Sequence, residues 1–288
     1  MTTHAWAVLH VPDVAASLAF YSDRLGWRQG ERAADDVAFI HDQAGDALLL
    51  VGPRAGDVAA YVGPDVRVKR PGDTLRYPGG DIDAQLADLG GRGLVGVHIA
   101  ETPWRDRELH VPTLDGYTLV YVAPAPLSPE ETLALYESGP HELDAALAGL
   151  TDRDLDLSPT PDAWAIRQLA HHIVDGDDLW AMVIKAALAA PGCTYEQDWY
   201  DTTNASAATL DYARLAVDPA LALFRAQRAS TASLVRHLPD AWDRHVQFTR
   251  AGLPEAQRLT VGFVVRIQAR HALEHIADIR EIRYVHGH

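Results

Sequence analysis

Three prolines within six residues, in Ala123-Pro124-Ala125-Pro126-Leu127-Ser128-Pro129, set the strongest constraint on this chain. Each proline fixes its own φ and lacks an N–H donor, so neither a continuous helix nor a central strand can run through the stretch. What remains is a short, stiff linker, and the chain has to fold as separate units on its two sides. Its length agrees, since 288 residues exceed the roughly 100–200 typical of one domain. The sequence therefore predicts a domain over residues 1–123, a linker over 124–128 and a second domain over 129–288. The patterns on either side make the first α+β and the second all-α.

After the linker, Ser128 with Pro129 at the first helical position and Glu131 at the third has the chemistry of a helix start. Apolar periodicity then predicts four helices, about Pro129 to Leu150, Asp162 to Ala190, Pro219 to Leu238 and Leu259 to Tyr284. Four long amphipathic segments imply a four-helix bundle, whose interior is a usual place for metal sites.

In the second helix each residue advances about 100° around the axis. That puts His172 on the stripe of Ala165, Leu169, Gly176, Leu179, Val183 and Ala187, facing a core. His171 falls in the sector of Arg167, Asp175, Asp178 and Lys185, facing water. The last helix carries His271-Ala272-Leu273-Glu274-His275, two imidazoles one turn apart on one face. With His172 from a facing helix they make a three-histidine set that leaves positions open for water or substrate, as a reactive metal requires. Ordinary helix histidines hydrogen-bonded to neighbours also satisfy this spacing. Asp175 and Glu274 are the nearest carboxylates for orienting imidazole N–H groups, or else solvated helix side chains.

Composition narrows the partners. A net charge of −15 argues against nucleic acid and anionic membranes, which such a surface repels. With 48% hydrophobic residues the chain can build proper cores, yet no apolar run approaches a membrane span. Cys193 is the single cysteine, so no intramolecular disulfide forms, and residues Met1 to Trp6 lack a basic region followed by an apolar one. These features predict a cytoplasmic protein with a small-molecule substrate and, as protein partner, at most a second copy in a homodimer.

The first 122 residues alternate short strands and helices. Ala5 to Val11 reads as a strand, and Asp13 offers an N-cap for a helix to Leu25. Val37 to His41 and Ala47 to Val51 are strands flanking a turn. The order then returns, with Thr74 to Tyr77 as strand, Ile82 to Leu89 as helix, and Gly96 to Ala100, Glu108 to Val111 and Thr118 to Val122 as strands. This is an internal repeat of strand, helix and three strands.

His10-Val11-Pro12-Asp13-Val14-Ala15-Ala16-Ser17-Leu18-Ala19-Phe20-Tyr21-Ser22-Asp23-Arg24-Leu25-Gly26-Trp27 matches the D-x-x-x-S-x-x-F-Y-x-x-x-L-G opening of the glyoxalase and bleomycin-resistance superfamily, the vicinal oxygen chelate proteins. Pro103-Trp104-Arg105-Asp106-Arg107 and Leu114-Asp115-Gly116-Tyr117 are similar to the superfamily's closing strands. The resemblance implies a paired βαβββ module with a cupped sheet. It also implies metal donors seven residues before Asp13 and four beyond Gly116, where this chain has Trp6 and Val120. Neither side chain ligates a metal, and His4 and His10 share the Trp6 face without occupying its place. The expectation is a metal-free cup with aromatic walls, Trp6 and Trp104 being the substrate-binding candidates. Packing the module core is the other use for two such rings.

Trp164-Ala165-Ile166-Arg167-Gln168-Leu169-Ala170-His171-His172-Ile173-Val174-Asp175 resembles the W-(x7)-H-[IL]-x-[DE] segment of the DinB/YfiT-like four-helix bundles, and His271-x-x-x-His275-Ile276 resembles their last-helix pair. Tyr195-Glu196-Gln197-Asp198-Trp199 is similar to a loop of the YfiT branch. That family includes metal-dependent thiol transferases and a mycothiol-dependent maleylpyruvate isomerase. Carried over, the resemblance implies His172, His271 and His275 as ligands of a divalent zinc or nickel ion, with a low-molecular-weight thiol as cosubstrate. The function it implies is a metal-dependent, thiol-dependent S-transferase or a hydrolase, with the N-terminal cup binding the substrate. The alternative is a resistance-type protein that sequesters a toxic compound without turnover.

Overall fold

Alternating apolar residues in Met1–Ala125 fold one strand order twice, and the apolar faces of four helices build Pro126–His288. The structure, a computed structural model, describes residues 5–161, 163–198 and 205–288. Three expectations fall outside them: a role for His4, the start of the second helix at Asp162, and Trp199 in the YfiT-like loop.

The first half-module runs β1 (Ala5–His10), α1 (Val14–Ala19, continued by a π-helical turn to Arg24), β2 (Arg28–Ala34), β3 (Val37–His41) and β4 (Ala47–Val51). β4 lies parallel to β1 and antiparallel to β3, which pairs with β2, and β5 (Val62–Lys69) extends the far edge of β1. The second runs β6 (Thr74–Pro78), α2 (Ile82–Gly91), β7 (His98–Glu101), β8 (Arg107–Pro112) and β9 (Thr118–Ala123), in the order β6-β9-β8-β7. Here too the last strand is parallel to the first. Both sheets therefore have the βαβββ order that the repeat predicts.

Leu9, Leu48, Leu50, Leu75, Leu109 and Leu119 pack with Val14 and Tyr21 of the first helix and Ile82 and Leu89 of the second. The motif residues hold this core together. Asp13 Oδ1 accepts from the N–H groups of Ala15 and Ala16 at 2.8 and 3.1 Å, capping α1. The Ser17 hydroxyl donates to buried Asp115 at 2.8 Å, and the Tyr117 hydroxyl donates to the carbonyl of His10 at 2.9 Å. The D-x-x-x-S and D-G signatures are thus fastened to each other across 98 residues.

In the second unit the helices are α3 (Pro129–Leu147), α4 (Ile166–Ala189), α5 (Ala205–Thr209), α6 (Val217–His237) and α7 (Val261–Val285). Ser128 and Glu131 exchange both bonds of a capping box, 3.2 and 2.9 Å. α3 stops before Gly149, whose φ of +80° suits the residue just past a helix end. Around the bundle the order is α3, α7, α4, α6, so α3 and α4, consecutive in sequence, lie on a diagonal. α4 and α7 become neighbours by that arrangement. A three-stranded sheet, β10 (Thr194–Glu196), β11 (His245–Thr249) and β12 (Gln257–Thr260), packs its central strand on α4. Leu259 and Thr260, expected as the first residues of the last helix, therefore end β12, and Thr260 caps α7 through the N–H of Phe263 at 3.1 Å. No helix among the described residues is long and apolar enough to cross a membrane.

Candidate metal centre

α4 opens with the Gln168 side chain accepting from the Ala165 N–H at 3.0 Å, and two turns on it presents His172 to α7. His271 and His275 come from one face of α7. One potential donor nitrogen from each of the three rings lies within 4.8 Å of the others. The three ring centroids are 4.7 to 4.9 Å apart, and Nε2 of His271 is 3.0 Å from Nε2 of His172. Trp164 stands edge-on to His172 at 4.9 Å. Gly176 gives His271 its room, since a Cβ there would stand 3.3 Å from the ring's Cε1.

The His275 Nδ1–H donates to Asp278 at 2.9 Å, which leaves Nε2 as the nitrogen with a lone pair. Asp278, and not Asp175 or Glu274, is the carboxylate bonded to a ring of the triad. The structure brings neither of those to the triad: Asp175 accepts from the Tyr212 hydroxyl, and Glu274 pairs with Arg270 at 2.8 Å. The signal available for Asp278 was its i+3 spacing from His275, which places the two on one face of the helix.

His171 corrects the helical-phase reading. It is buried, stacked on Tyr212 at 5.5 Å, with Nε2 3.3 Å from the carbonyl of Leu215. Arg167, in the same supposedly solvated sector, is buried too and bonds Asp156 and Asp152 at 2.8 and 3.0 Å. The segment between α5 and α6 covers that side, so α4 is buried on more than one face and phase alone cannot tell core from water. His172 is half-buried.

Burial, with His275 adding to it, pushes His172 down to about 4; burial first, then His275, His172 and Arg228, pushes His271 down to about 3. Both rings are therefore neutral near pH 7, as ligation needs. Tetrahedral zinc with bonds of about 2.0–2.1 Å holds neighbouring nitrogens about 3.3 Å apart, and the 3.0 Å pair is close to that. The donor set fits a borderline divalent ion, and the buried Nδ1 of half-buried His271, without a hydrogen-bond partner among the described residues, marks a ring not yet fully used.

A pH prediction follows for the metal-free protein. The unfolded imidazole takes its proton near 6.5 and the folded ones only near 4 and 3, so the unfolded state binds protons first as pH falls. Stability from these two rings is complete above about pH 6.5 and declines as pH drops toward the folded values. Imidazole 15N shifts should show His172 and His271 neutral at pH 5.5, with Tm falling below pH 6.5. Protonation of both near 6.5 would contradict the buried geometry.

In the first unit, Trp6 packs edge-on to Tyr77 at 6.3 Å, against the sheet–helix core. Trp104 is buried in the turn after β7, and Val120 is buried on β9. The buried indole N–H groups of both tryptophans have no hydrogen-bond partner among the described residues.

Fold and site together define a four-helix bundle with three histidines gathered where its second and last long helices meet. The chain belongs to the DinB superfamily, which matches residues 135–279, half of its length. It is 25% identical over 160 residues to the "Putative metal-dependent hydrolase" of Geobacillus kaustophilus, covering 54% of this chain and 83% of that protein. Among solved structures it is similar to YfiT from Bacillus subtilis, described as "a probable metal-dependent hydrolase with an unusual four-helix bundle topology". The TM-score is 0.50 and the identity 23%, over 57% of this chain and 93% of that one. A glyoxalase/bleomycin resistance protein/dioxygenase from Nocardioides aligns over 45% of this chain and 87% of its own at 21% identity and a TM-score of 0.33. The paired βαβββ fold of the first unit is read from its own strand order.

Proposed function

We propose that this chain is a metal-dependent enzyme acting on a small molecule, with His172, His271 and His275 holding a divalent zinc or nickel ion. The observation that carries the reading is the convergence of three imidazoles from two helices, two of them kept neutral by burial. The names of the bacillus-group relatives, metal-dependent hydrolases, support water as the first co-reactant. A low-molecular-weight thiol is the second, on the resemblance to thiol-transferring bundles.

A divalent ion held by the three imidazoles would supply Lewis acidity toward water, a carbonyl or a thiol sulfur. The protein's part is positional. Asp278 orients His275 by taking its Nδ1–H, Gly176 admits His271, and Trp164 holds the His172 ring from the side and keeps water off it. The first unit is assigned small-molecule binding, with the rings of Trp6 and Trp104 as the candidate contacts.

Metal content of the purified full chain, followed by assays of ester and amide hydrolysis and of thiol loss with mycothiol, bacillithiol, glutathione or cysteine and an electrophile, tests this. One equivalent of metal and turnover that a chelator removes is the expected result. Bound metal without turnover on any of these substrates would instead favour sequestration.

A further inference from the structure

A cavity of about 360 Å³, lined by none of the three histidines themselves, lies between the segment leading into α4 and the last turns of α7. It meets the metal centre at two points. Trp164 in its wall is the ring that stands against His172, and Asp278 at its rim is the carboxylate bonded to His275. Pro159, Leu169 and Ile282 complete an apolar lining, and Glu281 stands with Asp278 at the edge.

The two carboxylates are not equivalent. Asp278 already accepts the imidazole proton of His275. Glu281 is exposed and forms no hydrogen bond or ion pair among the described residues. Pockets for small ligands span about 300–1,000 Å³, so this one takes a single ring or a branched alkyl group. An apolar wall beside an unneutralised carboxylate, on a chain of net charge −15, suits a group that is apolar along its body and positive at one end. It disfavours anions.

We propose that this cavity is the specificity pocket of the metal centre, that it holds a ring-sized apolar group, and that Glu281 selects substrates carrying a protonated amine next to that group. An acyl or alkyl moiety of this kind, such as an amino-acyl group with an apolar side chain, would then sit with its reacting atoms toward His172 and His275. The inference rests on the metal-centre reading above. Glu281 is a positioning residue here, since nothing in the geometry brings it to the reacting atoms.

Three small probes separate the charge from the apolar body: phenethylamine, phenethyl alcohol and 3-phenylpropionate. Their Kd values are measured by titration against the zinc-loaded full chain at low salt, with zinc content determined on the same samples. Because Glu281 is exposed, the amine's advantage over the alcohol is modest, about threefold, and it fades as salt is raised. The carboxylate binds most weakly. Glu281→Gln brings amine and alcohol to the same Kd with zinc content unchanged, and Glu281→Lys reverses the order in favour of 3-phenylpropionate. Equal binding of all three probes, or no binding, overturns the pocket. So does an amine preference that survives Glu281→Gln, which would mean the amine meets the metal rather than the rim. Absence of zinc from the wild-type chain is a distinct failure: it removes the metal-centre reading, and with it the pocket's role, whatever the ranking of the probes.

Discussion

His271→Ala should give a folded bundle whose affinity for zinc is lower by more than about 100-fold, whereas His171→Ala should bind zinc nearly as the wild type does. Losing an outer partner of a ligand typically costs about 10–100-fold in metal affinity, and losing a ligand itself exceeds that. His271 contributes the ring nearest to His172, 3.0 Å between Nε2 atoms, and sits in the room left by Gly176. His171 points to the other side of α4, where it stacks on Tyr212 and meets the carbonyl of Leu215. Its removal should therefore appear in stability, by about 1–3 kcal/mol for a buried polar contact and its packing, and not in metal content. Asp278→Asn, which weakens the hold on the His275 tautomer, should fall between the two. Metal analysis and thermal melts on the same preparations separate these effects. Equal zinc loss from His171→Ala and His271→Ala would mean that the rings gathered in the bundle are not the ligands.

The parts of this molecule that were legible in its sequence are those where local chemistry and burial point the same way. Asp13 and Ser128 announce helix starts because a side-chain acceptor before an apolar run has one good use. His271 and His275, one helical turn apart, are brought to one point by the period of the helix alone. Four of the five strands that went unread have weak alternation or too few residues; the fifth, β11, alternates clearly, with Val246 and Phe248 buried, and was missed all the same. β2, Arg-Gln-Gly-Glu-Arg-Ala-Ala, is mostly exposed, and β5 contains Gly63-Pro64 and is tolerated as an edge strand. β10 and β12 have three and four residues, too few for a period to appear. The fate of His171 was invisible for another reason. What buries it is a stretch some 40 residues on, and only the tertiary fold says which helix face such a segment covers. The diagonal placement of α3 and α4 is likewise a property of connections and not of patterns.

Arg228→Met should be the most destabilising single change within the bundle that leaves the histidines untouched, by about 3–5 kcal/mol at pH 7.5, the cost of stranding one member of a buried ion pair. Arg228 and Asp177 are each 1% exposed and 3.0 Å apart. The guanidinium also donates to the carbonyls of Tyr136 on α3 and Gln268 on α7, and lies 4.2 Å from the Tyr136 ring centre and 4.4 Å from that of Phe224. One side chain on α6 thereby ties together all four long helices, and its charge contributes to keeping His271 neutral. Burial pushes the Asp177 carboxyl up, and Arg228 opposes it. Without Arg228 that opposition is gone, and the carboxyl takes a proton in the folded state before it would in the unfolded one. The variant should then regain stability relative to the wild type as pH falls from 7.5 toward 5, and Asp177→Asn should rescue part of the loss at pH 7.5. Gly139 supplies the internal control. A Cβ there would fall on top of the Arg228 Nη1 group, so Gly139→Ala should destabilise the wild type in spite of alanine's better helix propensity of about 1 kcal/mol. In the Arg228→Met background the same change meets a flexible thioether in place of a fixed guanidinium, and its cost should shrink or change sign. Denaturant melts of the four combinations give the coupling energy, and additive effects of the two substitutions would show that the arginine is not what holds position 139 to glycine.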